Sequence, residues 1–201
     1  MYKLDLNIPF KGARNYLKGE DKYEAIIKFL ESFYPELTGG KLKIVFHRFT
    51  NRRCRLVCPK LQSSVQRPAD FVDEFVYSTK DRKIVGWIVE LEKQVIERIP
   101  YPEELILEKC FINDNRISMI EVNLDFTPME TLVAMAKKLH LKLYPSKRKW
   151  VITKIELNRF LKQDDIGRME IEFKHNFKNR LTKSAIFSRK EILGDIYFSL
   201  G

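Results

Sequence analysis

TPMETLVAMAKKLHLKL, residues 127 to 143, decides the architecture. Met129, Leu132, Val133, Ala136, Leu139, His140 and Leu143 recur at steps of three and four and form one apolar stripe of a helix. The start is written beside it: Thr127 as N-cap, Pro128 at the first helical position, and Glu130 closing a capping box. DKYEAIIKFLESFY, residues 21 to 34, has the same design, with Tyr23, Ile26, Ile27, Leu30, Phe33 and Tyr34 on one face. Asp21 with Glu24 makes a capping-box-like start, and Pro35 and Gly39-Gly40 supply the stop.

Strands surround each helix in one order. Before the first, Tyr2, Leu4, Leu6, Ile8 and Phe10 alternate with polar residues; before the second, Ile120, Val122, Leu124 and Phe126 do the same. Four strands are expected after each helix: 41–49, 52–58, 70–78 and 83–99 in the first set, 149–157, 168–177, 182–189 and 191–200 in the second. The two sets match element by element and at nearly constant offset, which reads as a repeat. An extra hairpin, ELILEKCFI to RISMIEV, opens the second copy and turns at Asn113-Asp114-Asn115. Pro100-Tyr101-Pro102 interrupts strand pairing, so the expected units are 1–100 and 101–201, packed as one pseudo-dimeric body through their edge strands.

Composition narrows the class. An apolar fraction of 44 % with 12 % aromatics can bury a core, which excludes a disordered chain. No apolar run reaches the length of a signal peptide or a membrane span, so a cytoplasmic protein is expected. Cys54, Cys58 and Cys110 have no metal-ligand spacing and read as structural thiols. No Gly-x-Gly-x-x-Gly, P-loop or His-Glu-x-x-His occurs, so neither metal nor cofactor is implied. A net charge of +10 implies an anionic partner. Its cations concentrate at Arg48, Arg52, Arg53 and Arg55, and at Lys137, Lys138, Lys142, Lys147, Arg148 and Lys149, where solvent exposure is expected for the lysines.

One long helix followed by antiparallel strands that wrap it resembles the hot-dog fold, and two in tandem resemble an α+β double hot dog. The second half, with its polar turn at Asp164, Asp165 and Gly167, is similar to beta-hydroxyacyl carrier-protein dehydratases and related thioesterases. The resemblance is one of element order and polarity over the whole chain. It implies a lyase or hydrolase of fatty acid or polyketide metabolism, acting on an acyl thioester of coenzyme A or an acyl carrier protein, and leaves a homodimer open. No His-Phe-Pro-Gly string of the dehydratases occurs. The resemblance then points to carboxylates at the helix starts, where free N–H groups polarise a thioester carbonyl. These are Glu20, Asp21 and Glu24 in the first copy and Asp125 and Glu130 in the second.

Between the first strand and its helix, the first copy carries KGARNYLKGE, residues 11 to 20, which the second lacks. The resemblance places this loop at the mouth of a tunnel between the helices. The candidate catalytic residues are therefore Asp125, Glu130 and Tyr16, and the substrate-binding ones Arg14, Asn15, Asp21 and His140. For His140, a core position on the apolar stripe is the competing reading. Two alternatives stay open: a hot-dog scaffold without catalysis, and a basic RNA-binding protein of tandem ferredoxin-like domains. The latter needs a second helix where DFVDEFVYSTKDRK and TKSAIFSRKE stand.

Overall fold

The computed structural model describes residues 1–37, 39–60, 66–122, 125–146, 148–178 and 180–201. They divide into two compact units, Met1–Tyr101 and Pro102–Gly201.

In the first unit, β1 (Tyr2–Leu6) and β2 (Phe10–Lys11) precede helix α1 (Gly19–Phe33). β3 (Lys41–Phe46), β4 (Arg52–Cys58), β5 (Phe71–Ser78), β6 (Lys83–Gln94) and β7 (Arg98–Ile99) follow. An antiparallel sheet runs in the order β1, β4, β6, β5, β3, and β2 pairs in parallel with β7. Tyr23, Ile26, Phe29 and Leu30 are the buried apolar face of α1. The rings of Tyr2 and Phe33, 4.9 Å apart, fasten β1 to its last turn.

Two expectations change here. The strand over residues 2 to 10 breaks at Asn7–Pro9, because Pro9 cannot donate to a ladder. Helix α1 starts at Gly19 with Lys18 as N-cap and no side-chain cap, so Asp21 and Glu24 lie inside the helix and make no capping box.

In the second unit, a short helix α2 (Glu104–Leu107) precedes the hairpin β8 (Cys110–Asn113) and β9 (Arg116–Met119). Helix α3 (Pro128–Leu143) follows, then β10 (Trp150–Leu157), a 3-10 turn at Gln163–Arg168, β11 (Met169–Phe177), β12 (Leu181–Ser188) and β13 (Glu191–Leu200). The antiparallel order is β10, β13, β12, β11, β9, β8. Thr127 accepts from the Glu130 N–H at 3.2 Å and Glu130 Oε2 from the Thr127 N–H at 2.8 Å, the expected capping box. Leu30 is 2 % and Val133 0 % exposed, so both helices bury the centre of their stripes; Ile27, Phe33 and Leu143 are half-buried, and Phe29, outside the expected stripe, is fully buried.

The second unit also departs from its sequence pattern. ELIL is helical, and β9 ends at Met119, so the alternation from Ile120 to Phe126 forms no strand in its described residues; Ile120 and Val122 are exposed. Asn123 and Leu124 lie outside the described residues. Four antiparallel strands follow each long helix in the chain, but their pairing in the sheets differs. In the first unit β6 lies between β4 and β5, whereas in the second β12 lies between β11 and β13. Only three residues separate the end of β11 from the start of β12, and Arg180 N–H donates to Phe177 O at 3.1 Å, so these strands are neighbours; the twelve positions between β4 and β5 are chain enough for β5 to leave β4's side. β5 and β12 occupy the stretches where a ferredoxin-like domain needs its second helix, which removes that alternative's architecture.

Candidate functional site

The head of α1 gathers the charged residues that the first unit buries. Its approach is the loop after β2, held at both ends. Phe10 N–H donates to Glu97 O at 2.9 Å and Gly12 N–H to Ile99 O at 3.0 Å. Gly12 turns the chain at φ 59°, a conformation that a side chain would strain. Arg98 is the clamp: its guanidinium donates to the carbonyls of Gly12 and, at 2.9 Å, Arg14, and to Asn15 Oδ1 at 2.6 Å. Arg14 reaches the Tyr16 hydroxyl at 3.2 Å, and the Tyr16 ring lies 4.6 Å from that of Phe49. Leu17 N–H closes the loop on Thr50 O at 2.9 Å.

Beyond the loop the side chains go inward. Lys18 is 2 % exposed, with Nζ 3.2 Å from the centre of the Tyr101 ring and 3.6 Å from Glu20 Oε1. Lys22, in the first turns of α1, pairs with Asp73 of β5 at 2.7 Å, and Asp73 is fully buried. Burial is the largest influence on the Asp73 carboxyl and raises it above the ordinary carboxylate range, against the pull of Lys22. Asp21 is paired with Lys11. A groove of about 290 Å³ runs along this part of α1, apolar on Leu4, Leu6, Ile8 and Ala25 and polar on Asn7, Asp21, Glu24 and Lys28. A second groove, of about 550 Å³, shares Asp5, Leu6 and Asn7 but adds Arg53, Glu92 and Lys93 around Cys54, a lining too charged for an apolar chain.

Arg14, Asn15, Tyr16 and Asp21 are thus brought to one helix head. Lys18, Lys22, Asp73, Arg98 and Tyr101 were not legible as its companions; a lysine opening an apolar helix stripe was the one available signal for Lys22. In the second unit, Asp125 is exposed in the turn ahead of α3, and Glu130 is occupied as a cap. His140 occupies the core position that competed with a substrate-binding one. It is fully buried, with Nδ1 2.6 Å from Ala136 O and Nε2 2.6 Å from Thr182 Oγ1. Burial lowers its pKa and favours the neutral ring, packed against Trp150 and Phe198.

The thiols are inert: burial pushes Cys54 up to about 12 and Cys110 to about 11. Among the described residues no group of three or more His, Cys, Asp or Glu could hold a metal ion, and no helix is long and apolar enough to cross a membrane. The basic clusters are also less free than their sequence suggests. Arg53 pairs with Glu97 at 2.8 Å, Arg48 with Glu90 at 3.3 Å, and Arg55 with Asp5. Lys137 is half-buried on Glu103 at 3.3 Å, and Lys138 donates to Leu107 O and, at 3.2 Å, Cys110 O. Lys142, Arg148 and Lys149 are exposed, and Lys147 lies outside the described residues.

This architecture has solved counterparts. The tesB protein of Mycobacterium avium subs paratuberculosis matches with a TM-score of 0.50 and 11 % identity over 98 % of this chain and 91 % of that one. A putative thioesterase II from Thermobifida fusca YX gives 0.51 at 8 % over 100 % and 92 %. A putative thioesterase from Novosphingobium aromaticivorans DSM 12444 gives 0.51 at 11 % over 100 % and 95 %. The chain has the hot-dog fold. No family model and no curated protein sequence matches it.

Proposed function

We propose that this protein binds and processes an acyl thioester, carried on coenzyme A or on an acyl carrier protein. The observation that carries the reading is the fold, shared over the whole chain with two proteins described as putative thioesterases. Similarity of fold is an analogy, and the site must supply the chemistry. In this reading the chain is a tandem of two hot-dog units built on α1 and α3. The groove beside α1 takes the acyl chain on Leu4, Leu6, Ile8 and Ala25, with its carboxylates at the helix head. Asp21 acts as general base on water, which attacks the carbonyl carbon; the C–S bond then breaks and the sulfur leaves as a thiol after taking up the proton. The first-turn N–H groups of α1, with Arg14, Asn15 and Tyr16, stabilise the developing oxyanion. Asp125 and Glu130 are the corresponding carboxylates of the second unit.

The test is a panel of acyl-coenzyme A and acyl-pantetheine thioesters of graded chain length. Thiol release reads hydrolysis, and ultraviolet absorbance of the enoyl thioester reads dehydration. Wild type should turn over part of the panel. Asp21→Asn should lower kcat by roughly a hundredfold to ten-thousandfold, and Tyr16→Phe by less. Binding without turnover would favour the scaffold reading. Absence of both binding and turnover would refute acyl-thioester processing.

A further inference from the structure

The outward sheet face of the second unit carries a surface that acyl-thioester chemistry leaves unused. From Thr131 to Ile155, and again from Phe173 to Lys190, the chain contains no Asp or Glu. The two stretches meet at one end of the sheet. The Lys149 carbonyl, just before β10, accepts from Gly201 N–H at 2.9 Å, and the Arg180 carbonyl, just before β12, accepts from Leu200 N–H at 3.4 Å. β13 pairs with both strands, so Lys149 and Arg180 stand two strand spacings apart, roughly 10 Å. Arg148 and Lys178 continue this edge, and all four side chains are exposed. Among the described residues none of the four has a carboxylate within ion-pair distance. The carboxylates further along the same face are already matched: Glu156 by Lys154 at 3.2 Å, Asp195 by Lys183 at 2.9 Å, and Glu172 by Lys174 at 2.7 Å.

Two rings stand beside these cations because the strand is irregular. Simple alternation would turn His175 and Phe177 inward with Met169, Ile171 and Phe173. A β-bulge between Phe173 and His175 reverses the phase, so Asn176 pairs with the buried Thr182 while His175 and Phe177 face solvent. Phe177 is 51 % exposed, and the two ring centres are 6.0 Å apart. Bulges that re-aim side chains recur at functional surfaces. Unmatched cations answer phosphates, and exposed rings two positions apart on a strand answer unstacked bases; an acidic protein would use only the first.

We propose that this face binds single-stranded nucleic acid, through Arg148, Lys149, Lys178 and Arg180 on phosphates and His175 and Phe177 on bases. The activity is independent of the thioester reading. Fluorescence anisotropy of labelled oligouridylate and oligothymidylate with the full chain tests it, the two probes separating RNA from DNA. Affinity should fall with salt at a log–log slope of about −3, four phosphate contacts at about 0.7 each. Phe177→Ala should weaken binding about tenfold with the slope unchanged, and Phe177→Tyr should restore it. Lys149→Ala with Arg180→Ala should reduce the slope by about 1.4. These positions are exposed, and unchanged thermal melting checks that the variants are folded. No binding at low salt, an unaltered affinity in folded Phe177→Ala, or equal competition by duplex RNA or polyglutamate would each overturn the proposal.

Discussion

Removing one charge of the Lys22–Asp73 pair should destabilise the first unit far more than removing both. The ion pair is 2.7 Å long and its side chains are 3 % and 1 % exposed, so neither charge regains water when its partner is lost. Breaking a buried pair from one side costs about 3–5 kcal/mol, whereas replacing both members with apolar residues is often neutral. Against a total stability of about 5–15 kcal/mol, that single change is severe. The experiment is a double-mutant cycle of Lys22→Met and Asp73→Leu by urea unfolding, with Trp87 reporting on the first unit and Trp150 on the second. Each single variant should lose several kcal/mol, and the double should return to within about 1 kcal/mol of wild type. The pH dependence has a defined sign. Burial raises the folded Asp73 carboxyl, so this group's contribution is largest below the ordinary carboxylate range and is lost as pH rises through the raised value. Asp73→Leu should abolish that decline. Single variants costing under about 1 kcal/mol each and adding in the double would refute a buried, coupled pair.

Thr127→Ala should cost about 1 kcal/mol in thermal unfolding, because the Glu130 N–H loses its acceptor at the start of α3. Native protein should resist thiol reagents at mildly alkaline pH and react at all three cysteines only after denaturation, since all are buried. Lys138→Glu should destabilise by roughly 1–3 kcal/mol, as it strips donors from two carbonyls. The exposed Lys142→Glu should stay within about 0.5 kcal/mol. Equal melting temperatures for the two lysine variants would contradict the placement of Lys138.

Legibility followed the range of the interactions. Helix α3 was readable to its first residue because Thr127, Pro128 and Glu130 act within one turn. Helix α1 was readable in its stripe but not its start: tertiary burial of Lys18, Glu20 and Lys22 extended it past the cap that Asp21 and Glu24 suggested. Of the candidate site, the loop carrying Arg14, Asn15 and Tyr16 stood out as an insertion. Its clamp, Arg98, lies more than 80 positions away and announces itself by no spacing.

The sequence by itself determined the two long helices α1 and α3, the strands that follow them, the excess of positive charge and the burial of the thiols. All of these follow from periodicity and composition, which are properties of neighbouring residues. Only the tertiary structure decided which strands are neighbours, placing β6 rather than β5 beside β4, because strand pairing is a contact between distant segments. It alone decided that Asp73 meets Lys22, that His140 turns both nitrogens to the protein, and that one bulge brings Phe177 to the surface. Partners of this kind are chosen by the packed fold, where a buried charge or ring must find its complement in whatever segment lies across from it.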